Sequence, residues 1–175
     1  MDLTEKTLDS REIYSGRIIK VRIDTVSLPN GQQSTREVVE HAGAVAVVAL
    51  DDDNNVILVR QYRKPVEQIL MEIPAGTMGV AEDPLECAQR ELREETGYNA
   101  DHWEKILSYF SAPGFTNERL HLYLATGLRA GKTDTDDDEF VETVHIPLQE
   151  AYRLIFAGQI ADGKSIIGLQ YAWKR

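Results

Sequence analysis

The run GAVAVVAL, residues 43–50, is almost wholly apolar, and after the polar turn DDDNN the chain resumes as VILVRQYR, residues 56–63. Short apolar runs bounded by turn residues read as strands covered on both faces, because a half-exposed strand would alternate with polar side chains. Both belong to the interior of a larger sheet. ILSYFSA and LHLYLATGL, joined by PGFTNER, and FVETVHI, which follows the acidic loop TDTDDDE, supply further strands. One helix begins at Asp83: Pro84 would be its first residue, where the missing N–H costs nothing, Glu86 stands three past the cap, and Gly97 ends it. Leu85, Ala88 and Leu92 form its apolar stripe. A last helix is expected from near Pro147, with Leu148, Ala151, Leu154 and Ile155 facing the core. Strands alternating with two helices predict a mixed α/β sandwich.

Residues 17–39, RIIKVRIDTVSLPNGQQSTREVV, largely alternate apolar with polar on either side of Pro29-Asn30-Gly31, which predicts a hairpin. The first forty residues are more polar than the rest and can bury only one face. They are expected to form an accessory β-sheet element, 1–40, ahead of a main domain, 41–175. A chain of 175 residues with 42% hydrophobic content suffices for one such core.

A net charge of -10 and a pI near 4.9 argue against a nucleic-acid partner, since binding a phosphate backbone needs a surplus of Lys and Arg. An anionic partner must be met locally, through metal ions or a few placed arginines. The single cysteine, Cys87, excludes an internal disulfide and reads as small packing filler. The opening residues carry no secretion signal and no apolar run is long enough to cross a bilayer, so a cytoplasmic protein without a membrane partner is expected. The histidines at 41, 102, 121 and 145 are scattered, without zinc-ligand spacing.

Within the helix that starts at Pro84, Glu91, Glu94 and Glu95 are spaced to share one side. Such carboxylates repel by a few tenths of a kcal/mol per pair, and Arg90 and Arg93 relieve this only in part. Two readings stand open: a solvated charged face, or hard oxygen ligands suited to Mg²⁺ or Mn²⁺. The segment from Gly76 to Tyr98 resembles the Nudix box, G-x5-E-x7-R-E-U-x-E-E-x-G-U, with Gly76, Glu82, Arg90, Glu91, Leu92, Glu94, Glu95 and Gly97 in register. Tyr98 replaces the final aliphatic residue. The resemblance implies an α/β/α sandwich and metal-dependent cleavage of a nucleoside diphosphate linked to another group. It assigns Glu91, Glu95 and the Ala75 carbonyl to the metals, Glu94 to assist them, Arg90 to orient the carboxylates, and Glu82 to brace the loop.

EIPAGTM, REVVEHAGAVAVVAL, VILVRQYRKPVEQILMEIPAG and SAPGFTNERLHLYLA, with Pro113 sixteen residues after Gly97, resemble the ADP-ribose pyrophosphatases of that family, over residues 11 to 171. The resemblance implies a homodimer that exchanges its N-terminal sheet. Arg36 and Glu37 of one subunit would meet the nucleoside end of ADP-ribose, Arg63 of the other, with Arg60 a weaker candidate, would meet the phosphates, and Glu72 and Pro113 would line the pocket. In the loop DTDDDEF, residues 134–140, Glu139 is the expected carboxylate at the metals and Asp137 the expected general base. An EF-hand is excluded there, because counting from Asp134 the sixth residue is Glu139 and the twelfth His145. The alternatives are a GDP- or ADP-hexose hydrolase and, from another class, a non-catalytic ligand sensor.

Overall fold

A computed structural model of the chain describes residues 2–132 and 140–175. The chain divides into two compact units, one comprising the residues up to Gly43 together with Phe110–Arg119, the other Ala44–Tyr109 with Leu120–Arg175.

The first unit is an antiparallel sheet of β1 (Lys6–Ser15), β2 (Ile19–Ser27) and β3 (Gln33–His41), in that order. The expected hairpin joins β2 to β3. Gly31 closes it at a φ of 82°, a left-handed backbone that glycine adopts without a steric penalty, and its N–H donates to the Leu28 carbonyl at 2.8 Å. The segment Phe110–Arg119 is tied to β3: the Val39 N–H donates to the Phe115 carbonyl at 2.8 Å, and the His41 N–H to Asn117 Oδ1 at 2.9 Å.

The second unit holds β4 (Ala44–Leu50), β5 (Asn55–Arg63), β6 (Gln68–Glu72), β7 (Ala75–Thr77), α1 (Pro84–Thr96), β8 (Tyr98–Phe110), β9 (Arg119–Ala130), β10 (Val141–Pro147), α2 (Leu148–Phe156) and α3 (Gly163–Lys174). Its seven-stranded sheet runs β10-β5-β4-β9-β8. β4 and β9 are parallel, so the sheet is mixed. β4 and β5 pair only at Ala49↔Ile57 and Leu50↔Val56; beyond these they part, β4 pairing with β7 and β5 with β6. This divergence brings the Glu72–Thr77 segment into the sheet.

Every residue of β4 from Val45 to Ala49 is fully buried, as its unbroken apolar run requires. Val45, Val47 and Ala49 pack with Cys87, Ala88 and Leu92 of α1, while Ala46 and Val48 pack with Leu148 and Ala151 of α2 and Leu169 and Ala172 of α3. The period-2 alternation of a strand thus feeds two helical layers, and the expected α/β/α sandwich is borne out.

The helix after Pro147 is not the last, and this corrects the expectation of two helices: α3 follows. Its sequence, GKSIIGLQYAWK, has glycine at its start and in its middle, and the one in the middle lowers intrinsic helix preference by about 1 kcal/mol. Tertiary contact overrides that. A Cβ at Gly168 would stand 2.7 Å from Val48 Cγ2, so the bare glycine lets the helix sit close on the sheet. β8 likewise starts at Tyr98, well before the ILSYFSA run.

Candidate active site

Helix α1 is anchored at both ends as its sequence dictates. Asp83 accepts from the N–H groups of Leu85 at 2.8 Å and Glu86 at 3.3 Å, and Gly97, at a φ of 73°, donates to the Arg93 carbonyl at 2.8 Å. Burial of Cys87, Ala88 and Leu92 then sets the rotation of the helix. That rotation leaves Arg90 among three carboxylates. Its Nε donates to Glu82 Oε1 at 3.0 Å, and its Nη1 donates to Glu91 Oε1 at 2.7 Å and Glu94 Oε2 at 2.9 Å. The Arg90 guanidinium, helped by the Gly79 N–H at 2.7 Å, holds the Glu82 carboxyl at about 2, far below its ordinary value. The same carboxylates hold Arg90 firmly protonated. Burial pushes the Cys87 thiol up to about 12.

Glu95 is buried, and its Oε2 accepts from the Ala75 N–H at 3.0 Å, which ties the end of α1 to β7. Glu91 lies over Gly76: a Cβ there would fall 1.9 Å from Glu91 Cδ. The glycine of β7 therefore leaves room for a carboxylate. Among the described residues, no three Asp, Glu, His or Cys side chains converge as they lie on a point that could hold a metal. Arg90 stands as counter-ion to Glu91 and Glu94. By donor chemistry, three carboxylates on one helix beside a side-chain-free glycine fit a hard divalent cation. Asp137 and Glu139 lie outside the described residues.

Arg63 and Glu72 are brought together. Arg63 Nε donates to Glu72 Oε1 at 2.9 Å and Nη2 to Oε2 at 2.8 Å, a bidentate pair whose carboxylate is buried. Burial alone would raise the Glu72 carboxyl, but Arg63 and Lys164 outweigh it and hold it below its ordinary value. Arg60 is elsewhere, paired with Glu142 on β10 at 2.6 Å.

In the first unit, Arg36, Glu37 and Pro113 line one cleft of about 470 Å³, together with Phe110 and Phe115. Arg36 is held there by Glu5, through Nε at 2.9 Å and Nη2 at 2.5 Å. Glu5, the two phenylalanines and Lys164 were absent from the sequence reading. Lys164 was within reach of it: Asp162 ahead of the run GKSIIGL is an N-cap residue type before apolar residues, a helix-start signal.

A mixed sheet between helical layers, a short strand with a bare glycine, a braced loop and a carboxylate helix locked to that strand are the parts of one known architecture. A model described as the NUDIX domain matches residues 40–166, and the chain belongs to the Nudix family. Residues 5–39 match a model described as the nucleoside diphosphate sugar hydrolase N-terminal domain. The chain is 46% identical over 169 residues to the methanol dehydrogenase activator of Bacillus methanolicus, covering 95% of this chain and 91% of that protein. It is 43% identical over 171 residues to the ADP-ribose pyrophosphatase of Bacillus subtilis (strain 168), covering 97% and 92%. In fold it is similar to the crystal structure of an ADP compounds hydrolase, at a TM-score of 0.88 and 22% identity over 99% of this chain and 95% of that one.

Proposed function

We propose that this protein hydrolyses the pyrophosphate bond of ADP-ribose to AMP and ribose 5-phosphate, with Mg²⁺ as the physiological ion and Mn²⁺ as a substitute. The observation that carries the reading is the junction of α1 with Ala75 and Gly76 of β7, where Glu91 packs over a bare glycine and Glu95 is locked to a backbone N–H. Glu91, Glu94, Glu95 and the Ala75 carbonyl are the groups that would hold the cation. Once bound, a divalent cation would polarise phosphoryl oxygens and lower the pKa of a water. Arg90 divides its donors among Glu82, Glu91 and Glu94, and so orders three like charges before any ligand arrives. Arg63 serves the phosphates, Arg36, Glu37 and Pro113 the nucleoside end, Asp137 takes the proton of the attacking water, and Glu139 joins the ligands.

The choice of ADP-ribose is supported by the likeness, along nearly the whole chain, to a relative that bears that name. The match of residues 5–39 supports a nucleotide-sugar substrate and, with it, the GDP- or ADP-hexose alternative. A homodimer built through the 1–40 element and a cytoplasmic location belong to the same reading. No helix among the described residues is long and apolar enough to cross a membrane.

Product analysis over ADP-ribose, ADP-glucose, GDP-mannose, NADH and dGTP, with Mg²⁺ and with EDTA, tests the proposal. Metal-dependent AMP from ADP-ribose at the highest kcat/KM is expected, and a higher value for any other compound refutes the substrate. Glu95→Gln retains an acceptor for the Ala75 N–H while removing the charge, so most activity should be lost with the fold intact. The name of the 46% identical relative supports a second reading, a regulator of a dehydrogenase. That reading predicts that Glu95→Gln still stimulates a methanol dehydrogenase; if stimulation vanishes with hydrolysis, the two are one activity.

A further inference from the structure

Glu72 carries two cations on one buried carboxylate. Besides the bidentate Arg63, Lys164 Nζ donates to Glu72 Oε2 and lies 3.0 Å from Asp162 Oδ2. The Glu72 side chain is 2% exposed and that of Lys164 12%. Burying an ammonium is unfavourable unless its partners are fixed, and here they are. Asp162 caps α3, accepting from the Ser165 N–H at 3.0 Å and from Ser165 Oγ at 2.6 Å. Ser165 Oγ in turn accepts from the N–H of Ile73, the residue after Glu72, at 2.8 Å. Two neighbouring contacts thus join the start of α3 to the end of β6, and Lys164 is the one that reaches the carboxylate.

The outward end of this chain of contacts is Arg63. Its side chain is 37% exposed, Nε and Nη2 are committed to Glu72, and Nη1 makes no hydrogen bond among the described residues. It also lies within electrostatic range of Glu95. A guanidinium held by two of its nitrogens keeps its plane, and its third nitrogen is offered as a fixed donor to an anion.

We propose that Lys164 is a positioning residue for substrate: by holding Glu72 from α3 it fixes the plane of the Arg63 guanidinium, so that the Nη1 edge meets a phosphate oxygen. Glu72 then acts behind Arg63 rather than on the substrate. The inference rests on the pyrophosphatase reading.

The test uses the full chain and two readouts. In ¹⁵N-labelled protein, the Arg63 Nε–Hε signal, assigned through Arg63→Lys, should exchange slowly with water. Lys164→Met should shift it and raise its exchange rate about tenfold or more, and Lys164→Arg, which keeps the charge, should restore it. An unchanged signal in Lys164→Met overturns the proposal whatever the protein hydrolyses. In kinetics with ADP-ribose and Mg²⁺, Lys164→Met should lower kcat/KM by about tenfold to a hundredfold, mainly through KM. In an Arg63→Met background the same change should cost less than about twofold, because Lys164 has lost the group it acts through. Equal losses in both backgrounds, or a fall in Tm without either readout moving, mark Lys164 as a structural staple. Wild-type protein that cleaves no sugar nucleotide refutes the pyrophosphatase reading, and the NMR readout still decides what Lys164 does to Arg63.

Discussion

Gly76→Ala is the smallest change that reaches the carboxylate cluster. Gly76 is not among the glycines at positive φ, so the backbone itself accepts alanine. The added Cβ would lie 1.9 Å from Glu91 Cδ and 2.0 Å and 2.3 Å from its oxygens, where contacts under 3.0 Å essentially never occur. The Glu91 carboxylate must therefore retreat by about 1 Å, a displacement that can cost about a hundredfold in rate when it moves a group the reaction uses. The retreat also disturbs the 2.7 Å bond to Arg90, but that guanidinium keeps its bonds to Glu82 and Glu94 and neither charge is left without a partner. Activity and stability should thus separate. kcat/KM for ADP-ribose should fall about a hundredfold, while Tm moves by only a few degrees. Steady-state kinetics and a thermal scan on the same preparation measure both. Wild-type kcat/KM in Gly76→Ala would refute the reasoning, because the reaction would then be indifferent to where Glu91 lies.

Gly168→Ala should destabilise the fold: alanine gains about 1 kcal/mol of helix preference, but its Cβ would meet Val48 Cγ2 at 2.7 Å on a stiff, buried side chain, an overpacking that costs about 1–3 kcal/mol. Urea unfolding measures the balance. Glu82 is held at about 2 in the folded chain against an ordinary 4.5, so its share of stability is complete above pH 4.5 and is lost as pH falls from there through about 2. Glu82→Gln should flatten that part of a stability-versus-pH curve. Cys87, fully buried and with its thiol pushed up to about 12, should resist a thiol reagent at pH 8 in the native protein and react on denaturation.

How far each part was legible follows from where its cause lies along the chain. The cap at Asp83, the stop at Gly97 and the Leu85, Ala88, Leu92 stripe are local, and α1 forms between those limits. The unbroken run of β4 announced burial on both faces, and the turn at Gly31 announced the hairpin. α3 was hidden because the glycine in its middle weakens the local signal, and the contact that justifies Gly168 comes from Val48, 120 residues earlier. Arg63 and Glu72 stood in the sequence as two separate candidates; the β5-β6 register sets Glu72 opposite Val59, and only the course of the long Arg63 side chain in the folded protein turns them into one bidentate pair.

By itself, the sequence determined the family, the sandwich of sheet and helices, and the carboxylates that share one side of α1, because caps, hydrophobic period and helical spacing act over a few residues. Tertiary structure alone decided which groups from elsewhere in the chain meet the carboxylates. Glu82 joins Arg90 across a loop, Glu95 meets the Ala75 N–H on β7, and Glu72 receives Lys164 from a helix that starts 91 residues later. Ion pairs and hydrogen bonds form within about 3 Å, and only the packed sheet brings residues so distant in sequence to that range.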